Sequence, residues 1–250
     1  MPPNTSYLIV GDGRLGRHLF HWLQLKKQPA WKVSFRSWRE ISESQRNSTS
    51  ISPTHVLLAT RDADLQEAAE LISLRAPQAS VCHFSAVVNI EPVPSYHPLM
   101  TFSSEKLYDE QFYDHIRFVS PNSLSSFCDH LPAFRENAFS EIPEAQRALY
   151  HSLCVLGSSG ISLMLLAMDS LWQQRLPIPV KDFRSLALQS LKNYMESGEG
   201  AITGPIVRSD EETLQRNIQS LRDNQLQELY KLTIKIFKEV VREPRRNSVP

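Results

Sequence analysis

The residues with the clearest chemical meaning lie near the start of the chain, in the sequence Gly11-Asp12-Gly13-Arg14-Leu15-Gly16. The first glycine of such a turn permits a sharp reversal, the second lets the backbone approach a pyrophosphate, and the third lets a helix pack on a strand. The apolar run 7–10 precedes the turn and a helical pattern follows it, so helix N–H groups would face the phosphates. These residues therefore predict a dinucleotide site; the alternative is a glycine-rich turn that binds nothing.

The residues after the second predicted strand indicate which dinucleotide would bind. An NAD site places Asp or Glu there, about twenty residues beyond the glycine turn, to bond the ribose 2′-hydroxyl. Here no acid is present, and the sequence reads Phe35-Arg36-Ser37-Trp38-Arg39. Arg36 and Ser37, with Arg39, can hold a 2′-phosphate through charge-assisted hydrogen bonds. We therefore predict NADP(H) as the cofactor, with NAD(H) as the alternative. The same residues would also be present in a solvated basic turn that binds no phosphate.

A second group of chemical residues lies on a long predicted helix over residues 143–172. Arg147 and His151 are four residues apart and share a helix face, and Ser158 returns close to that face three turns later. Imidazole titrates near neutral pH, so His151 suits acid–base chemistry, whereas the guanidinium of Arg147 suits an oxyanion or a carboxylate. The alternative for His151 is a core histidine with a satisfied ring.

Three further candidates lie next to predicted strands. His97 precedes Pro98, which favours an extended backbone, and it is predicted to bond the substrate or to close the cleft; the alternative is a residue that only marks a turn. Ser85 ends a strand where parallel sheets deliver ligand contacts, so we assign it to the nicotinamide amide or ribose. Thr60 follows another strand, in the turn that passes beneath a bound dinucleotide, and Asp62 is expected to cap the next helix.

The order of the predicted elements gives the fold. Up to about residue 119, strands alternate with helices, which is typical of a parallel sheet with crossover helices. Beyond residue 121 the pattern is helical, with helices over residues 143–172, 180–197, 210–222 and 224–241. We predict an α/β protein with a Rossmann domain in residues 1–120 and an all-helical substrate-binding and dimerisation domain in residues 121–250. Gly157 and Gly160 inside the long helix favour close packing by a second copy of the chain.

Three segments of the chain resemble a known family. They read His97-Pro98-Leu99, Arg147-Ala148-Leu149-Tyr150-His151 and Thr203-Gly204-Pro205-Ile206. With the glycine turn, they resemble the Rossmann-like proteins that carry a C-terminal domain of unknown function 2520. That family is similar in turn to ketopantoate reductase, pyrroline-5-carboxylate reductase and the 6-phosphogluconate dehydrogenase-like enzymes. The resemblance implies an NAD(P)-dependent oxidoreductase whose helical C-terminal domain, like that of 6-phosphogluconate dehydrogenase, forms a dimer.

The chain departs from the pattern of this family at positions that matter for chemistry. Ala86 replaces a glycine, Arg147 replaces a lysine and Ser158-Ser159 replaces an asparagine on the long helix. Related reductases use that lysine and asparagine to polarise the substrate carbonyl or imine. Loss of the lysine and asparagine favours a protein without catalysis, whereas the retained His97, His151 and Gly204-Pro205-Ile206 favour hydride transfer between NADP(H) and a small carbonyl, imine or hydroxy acid, which we expect. The alternative is a catalytically silent nucleotide-binding sensor or scaffold, and a bound flavin is a weaker third hypothesis.

Composition limits the other function classes. The formal net charge is zero, which gives no general attraction to nucleic acid or to an anionic membrane. Three cysteines at unrelated spacings make no disulfide framework and no metal pair, which fits a reducing cytoplasm. The most apolar helical stretch, residues 161–168, is too short to cross a bilayer. We expect a cytoplasmic homodimer that binds a small-molecule substrate and no metal.

Overall fold

The computed structural model describes residues 5–40, 52–222 and 224–241, and the first part of the chain is built on a parallel sheet. Its four strands are β1 (Tyr7–Val10), β2 (Ala30–Val33), β3 (His55–Leu58) and β4 (Ser80–His83), in the order β2-β1-β3-β4. Val10 pairs with both Val33 and Leu58, and Leu58 pairs with His83. The carboxyl ends of all four strands are therefore level, and the strand order reverses at β1, where such sheets bind their ligands.

Helices cover both faces of this sheet because successive residues of a strand point to opposite sides. Helix α1 (Arg14–Leu25) packs Leu19, Trp22 and Leu23 against the face that carries Tyr7 and Ile9. A short helix, α2 (Phe35–Glu40), follows β2. Helix α3 (Leu65–Arg75), preceded by a 3-10 turn at Asp62–Asp64, packs against the opposite face. This arrangement fixes the loop between β1 and α1 at the carboxyl edge of the sheet.

A smaller sheet continues from the end of β4. Its strands are β5 (His97–Pro98), β6 (Phe118–Ser120) and β7 (Phe139–Glu141), with β5 antiparallel and β7 parallel to β6. Helices α4 (Glu110–Asp114) and α5 (Leu124–His130) and a 3-10 turn at Pro132–Phe134 accompany it. The N–H of His83 donates to the carbonyl of Pro94, and the N–H of Tyr96 donates to the carbonyl of His83. These bonds place His97 beside the end of β4.

The rest of the described chain is helical. After a 3-10 turn at Glu144–Gln146, α6 (Arg147–Val155) passes through a π-helical segment (Leu156–Gly160) into α7 (Ile161–Arg175). The remaining helices are α8 (Val180–Ser197), α9 (Pro205–Arg208), α10 (Glu211–Ser220) and α11 (Asn224–Val241), with a 3-10 turn at Gly198–Ala201. The predicted fold class, a Rossmann-type parallel sheet followed by an all-helical part, is confirmed.

The chain divides into two compact units, residues 1–162 and 163–250. The sequence placed this boundary near residue 120. It lies later because β6, α5 and β7 pair with or pack on the elements that follow the parallel sheet, and α6 contributes Arg147 to the same unit.

One continuous helical segment, Glu144–Arg175, is 32 residues long and unusually apolar. Its most apolar 18-residue window has a mean hydropathy of 1.6, and none of that window is buried within the chain. By length and composition alone it is long enough to cross a membrane, so the expectation drawn from residues 161–168 underestimated its length. The helical segment continues through Gly157 and Gly160, both of which lie in the π-helical segment Leu156–Gly160.

Candidate functional site

The glycine turn has the geometry that a phosphate-binding turn needs. Gly11 has φ +130°, and a Cβ there would lie 2.3 Å from the carbonyl oxygen of Ala59. A Cβ on Gly16 would lie 2.1 Å from the carbonyl oxygen of Gly11, so α1 can approach the turn only with glycine at this position. A Cβ on Gly13 would meet no atom within 4 Å. Two glycines therefore fix the turn, and the face of the third is open to a ligand.

The start of α1 can bind an anion. Gly13 occupies the N-cap position, where it offers no side chain to the helix N–H groups, and the first turn contains no acidic residue. Asp12, Gly13 and Arg14 are exposed, whereas Leu15 is half-buried against the core. The first N–H groups of a helix have no partner within it, and the helix dipole adds positive potential at this end. This helix end and the open face of Gly13 together fit a dinucleotide pyrophosphate.

The residues after β2 lie beside this turn, because the N–H of Gly11 donates to the carbonyl of Val33 at 2.8 Å. The predicted strand over residues 31–35 ends earlier, at Val33, since Ser34 caps α2 by accepting a hydrogen bond from the N–H of Ser37. Arg36 and Ser37 therefore lie in the first turn of a helix, and both are exposed. Arg36 has no polar partner in the described part of the chain, whereas Arg39 lies 3.4 Å from the carboxylate of Glu67.

Thr60 lies just beyond the end of β3, and its Oγ1 is buried with no hydrogen-bond partner among the described residues. Asp62 begins the following 3-10 turn. Neither that turn nor α3 has a side-chain cap, so the expected N-cap role of Asp62 is wrong. The neighbouring Arg61 is held by Asp64, with Nε 2.8 Å from Oδ2. Thr60 and Asp62 are thus left with polar atoms that no described side chain uses.

At the end of β4, His83 has a fixed tautomer. Its Nδ1 accepts a hydrogen bond from the N–H of Ser85 at 3.2 Å, so the ring proton lies on Nε2. Nε2 is buried and has no partner in the described ranges. Burial, and then the charge of Arg147, lower the pKa of His83 to about 4. The Oγ of Ser85 accepts hydrogen bonds from the N–H groups of Val87 and Val88, so this hydroxyl shapes the loop after β4.

His97 and Tyr150 form a hydrogen-bonded pair between β5 and α6. His97 Nδ1 lies 2.7 Å from the Tyr150 hydroxyl, and the ring of His151 packs edge-on to His97 with centroids 6.3 Å apart. Burial and then the charge of His151 lower the pKa of His97 to about 4. Burial raises the pKa of Tyr150. With the Tyr150 hydroxyl as the donor to Nδ1, the ring proton of His97 lies on Nε2, where no described residue accepts it.

Arg147 is buried, with 4% of its surface exposed, and it binds the protein itself. Nε donates to the carbonyl of Ala86 at 3.0 Å, and Nη1 donates to the carboxylate of Glu144 at 3.1 Å. Nη2 donates to the carbonyl oxygens of Ser85 and Val88 and to Ser95 Oγ. All three guanidinium nitrogens therefore bond the protein itself, and a ligand oxyanion or carboxylate would have to compete with these contacts.

The structure places the other predicted residues of the long helix differently. The ring of His151 is half-buried and has no hydrogen bond to the described residues. Ser158 lies in the π-helical segment and donates its hydroxyl proton to the carbonyl of Cys154 at 2.6 Å. Among residues 5–40, 52–222 and 224–241, no group of three or more His, Cys, Asp or Glu side chains is placed to hold a metal ion.

Tyr150 and His83 are the site residues that the sequence did not single out. Tyr150 stands beside His151 in the segment that carries the family resemblance, but nothing in its spacing predicts a bond to a residue 53 positions earlier. His83 precedes Ser85 at a strand end, which is the signal that would have found it.

Comparison with known proteins supports the resemblance in both parts of the chain. Residues 126–235 match the family model described as a domain of unknown function (DUF2520). No protein with a curated description matches the chain.

Several solved structures share the fold of this chain. A Bacteroides fragilis protein with the provisional description of an NADP oxidoreductase aligns with a TM-score of 0.74 at 19% identity, covering 94% of this chain and 98% of its own. A Thermotoga maritima protein aligns with a TM-score of 0.71 at 19% identity, covering 96% and 100%. Pyrroline carboxylate reductase from Plasmodium falciparum, with NADP bound, aligns with a TM-score of 0.58 at 11% identity, covering 94% and 96%. At these identities the likeness establishes the fold.

Proposed function

We propose that this protein is an NADP(H)-dependent oxidoreductase that transfers hydride to or from a small carbonyl, imine or hydroxy-acid substrate. The observation that carries the proposal is the glycine turn. Gly11 and Gly16 have no room for a Cβ, Gly13 has an open face, and the start of α1 is uncapped. A turn kept only for packing would need the first and third glycines but not the second.

The described residues fit the cofactor from end to end. The N–H groups at the start of α1, with Asp12, Arg14 and Leu15 around the open face of Gly13, would hold the pyrophosphate. Arg36 and Ser37 would hold the 2′-phosphate of NADP(H).

Thr60 Oγ1 and the hydroxyl of Ser85 are the polar groups at the ends of β3 and β4 that remain for the ribose or amide part of the cofactor. When bound, the nicotinamide ring supplies or accepts the hydride.

His97 and His151 would divide the remaining chemistry between them. The Nε2–H of His97 can donate a hydrogen bond to the substrate oxygen and stabilise the charge that develops there. Loss of that proton would leave an anionic imidazole or a tyrosinate at Tyr150, whose pKa burial already raises, so His97 is a poor proton donor. His151, whose ring has no hydrogen bond to the described residues, is the group that can deliver the proton.

Parallel calorimetric titrations with NADPH, NADH and FAD test the proposal. We expect preferential binding of NADPH, and in Arg36→Glu a loss or reversal of the preference over NADH. Arg39→Glu is the matched control, because it makes the same charge change on the same helix at a residue already paired with Glu67. Unchanged NADPH affinity in Arg36→Glu would show that the 2′-phosphate binds elsewhere, and tight FAD binding would favour a flavoprotein.

A silent nucleotide-binding sensor or scaffold is the second candidate, and the engagement of Arg147 with main-chain carbonyls favours it. Turnover of a small carbonyl compound that disappears in His151→Ala decides for the enzyme. Tight NADPH binding without turnover of any carbonyl, imine or hydroxy acid decides for the sensor.

We further propose that the protein is a cytoplasmic homodimer that binds neither nucleic acid nor membrane. The support is the exposed apolar face of the long helix, where Leu149, Leu153 and Leu156 are each at least 60% exposed. A second copy can cover such a face. Light scattering should give twice the mass of one chain. A monomer that floats with phospholipid vesicles would instead assign the helix to a membrane.

A further inference from the structure

The bonds of Arg147 restrict the substrate that this site can accept. Small oxo acids and hydroxy acids are usually held by a guanidinium that forks onto the carboxylate. Here the arginine of the site holds three carbonyl oxygens, at Ser85, Ala86 and Val88. Turning it toward a ligand would leave those carbonyls without their donors in a buried position, which is unfavourable.

The other charges around His83 and His97 do not replace it. The positive charge of Arg147 is matched by the carboxylate of Glu144. The groups whose charges act on the two histidines are Arg147, Asp62 and, for His97, His151. Asp62 makes no hydrogen bond or ion pair within the described residues, so its negative charge is uncompensated.

The uncommitted hydrogen-bonding groups have a definite character. His83 and His97 each carry a proton on an Nε2 that has no partner among the described residues, so both are neutral donors. Asp62 is an acceptor. Neutral donors suit the oxygen of an uncharged carbonyl, and a carboxylate acceptor suits a hydroxyl or an amide N–H. A ligand carboxylate placed here would meet the like charge of Asp62, while the nearby cation Arg147 is already paired with Glu144.

We propose that the site formed by Asp62, His83, His97 and Tyr150 takes an uncharged carbonyl compound that also bears a hydroxyl or amide N–H, and discriminates against 2-oxo acids. The inference rests on the proposed function and narrows its substrate class. The carbonyl oxygen accepts from His97 Nε2–H, and Asp62 accepts from the hydroxyl or amide.

Pyruvamide and pyruvate test this as a matched pair, because they share the reacting ketone and differ in charge. NADPH oxidation and calorimetric binding of both are measured at pH 8.5, where imidazole is neutral, with and without NADPH. We expect kcat/KM, or affinity where turnover is slow, to favour pyruvamide by at least tenfold. Asp62→Asn should reduce this ratio severalfold. Asp64→Asn, which removes a carboxylate already paired with Arg61, should leave it unchanged.

Equal or better use of pyruvate, or the same ratio in Asp62→Asn as in Asp64→Asn, overturns the inference. Binding of neither compound overturns the assignment of small carbonyl ligands to this site. Failure of NADPH itself to bind is a separate result, which refutes the proposed function while the probe titrations without NADPH still report on the site.

Discussion

Replacing Gly13 and Gly16 by alanine should separate cofactor binding from folding. The Cβ of Gly13→Ala meets no atom within 4 Å, and the backbone there is extended with φ −64°, which any residue adopts. The free energy of unfolding should therefore change by less than about 1 kcal/mol. The change can be an increase, because alanine restricts the unfolded chain more than glycine does. The added methyl group occupies the open face where the pyrophosphate would lie. NADPH affinity should fall at least tenfold, which is about 1.4 kcal/mol.

Gly16→Ala should have the opposite profile. Its Cβ would lie 2.1 Å from the carbonyl oxygen and 2.9 Å from the carbonyl carbon of Gly11, so α1 must move away from the turn. Backbone atoms cannot yield as a side chain does, and overpacking of this kind costs about 1–3 kcal/mol or more. We expect a clear fall in the free energy of unfolding, with loss of NADPH binding as a consequence of the displaced helix.

Urea unfolding followed by circular dichroism measures the stability of each variant, and calorimetry measures NADPH affinity on the folded protein. The reasoning is refuted if Gly13→Ala binds NADPH as tightly as the parent, because the open face would then have no role in binding. It is also refuted if Gly16→Ala unfolds at the same urea concentration as Gly13→Ala, because the close approach of α1 would not matter.

The remaining predictions concern the groups around the histidines. Arg147→Met should lower the free energy of unfolding by about 3 kcal/mol in a urea titration, because three buried carbonyls lose their donor, and Arg147→Lys should recover only part of it. Tyr150→Phe should lower kcat about tenfold with little change in KM, because Nδ1 of His97 loses the bond that fixes its tautomer; equal kcat values would remove Tyr150 from the mechanism. The pKa of His83, about 4 when folded against 6.5 as the ordinary value, gives roughly 3 kcal/mol of stability that is present above pH 6.5 and lost as the pH falls toward 4. Stability measured in His83→Gln should depend less steeply on pH across that range.

The fold was predictable because its signals are local. Short apolar strands, each followed by a helical pattern, define a parallel sheet with crossover helices, and the three glycines mark the turn after β1. Errors occurred where a side chain competes for the backbone. Ser34 ends β2 two residues early by capping α2, and Asp62 enters a 3-10 turn instead of capping α3.

The candidate site was predictable only in part, because its pairings are between distant segments. Helix spacing correctly brings Arg147 and His151 onto one element, whereas the assignment of Ser85 to the cofactor stays a prediction. No period or motif predicts that Tyr150 bonds His97, or that the donors of Arg147 turn to the loop after β4. Those contacts depend on the small sheet that follows β4. Its first strand, β5, has only two residues and gives no recognisable sequence pattern.

The arginine at position 147 changes what the long helix can do. A lysine there would carry a single ammonium with three donors, and it could swing between the protein and a ligand. The planar guanidinium instead bonds three carbonyls, a serine and a glutamate at once, so any motion toward a substrate breaks several bonds together. The groups left to bind the substrate are Asp62 and the two histidines whose pKa values burial lowers to about 4, His83 and His97, while His151 remains to deliver the proton. The Nε2–H of His83 is buried without a partner among the described residues, and an unpaired buried donor lowers stability. A ligand oxygen that accepts from this group would remove that cost.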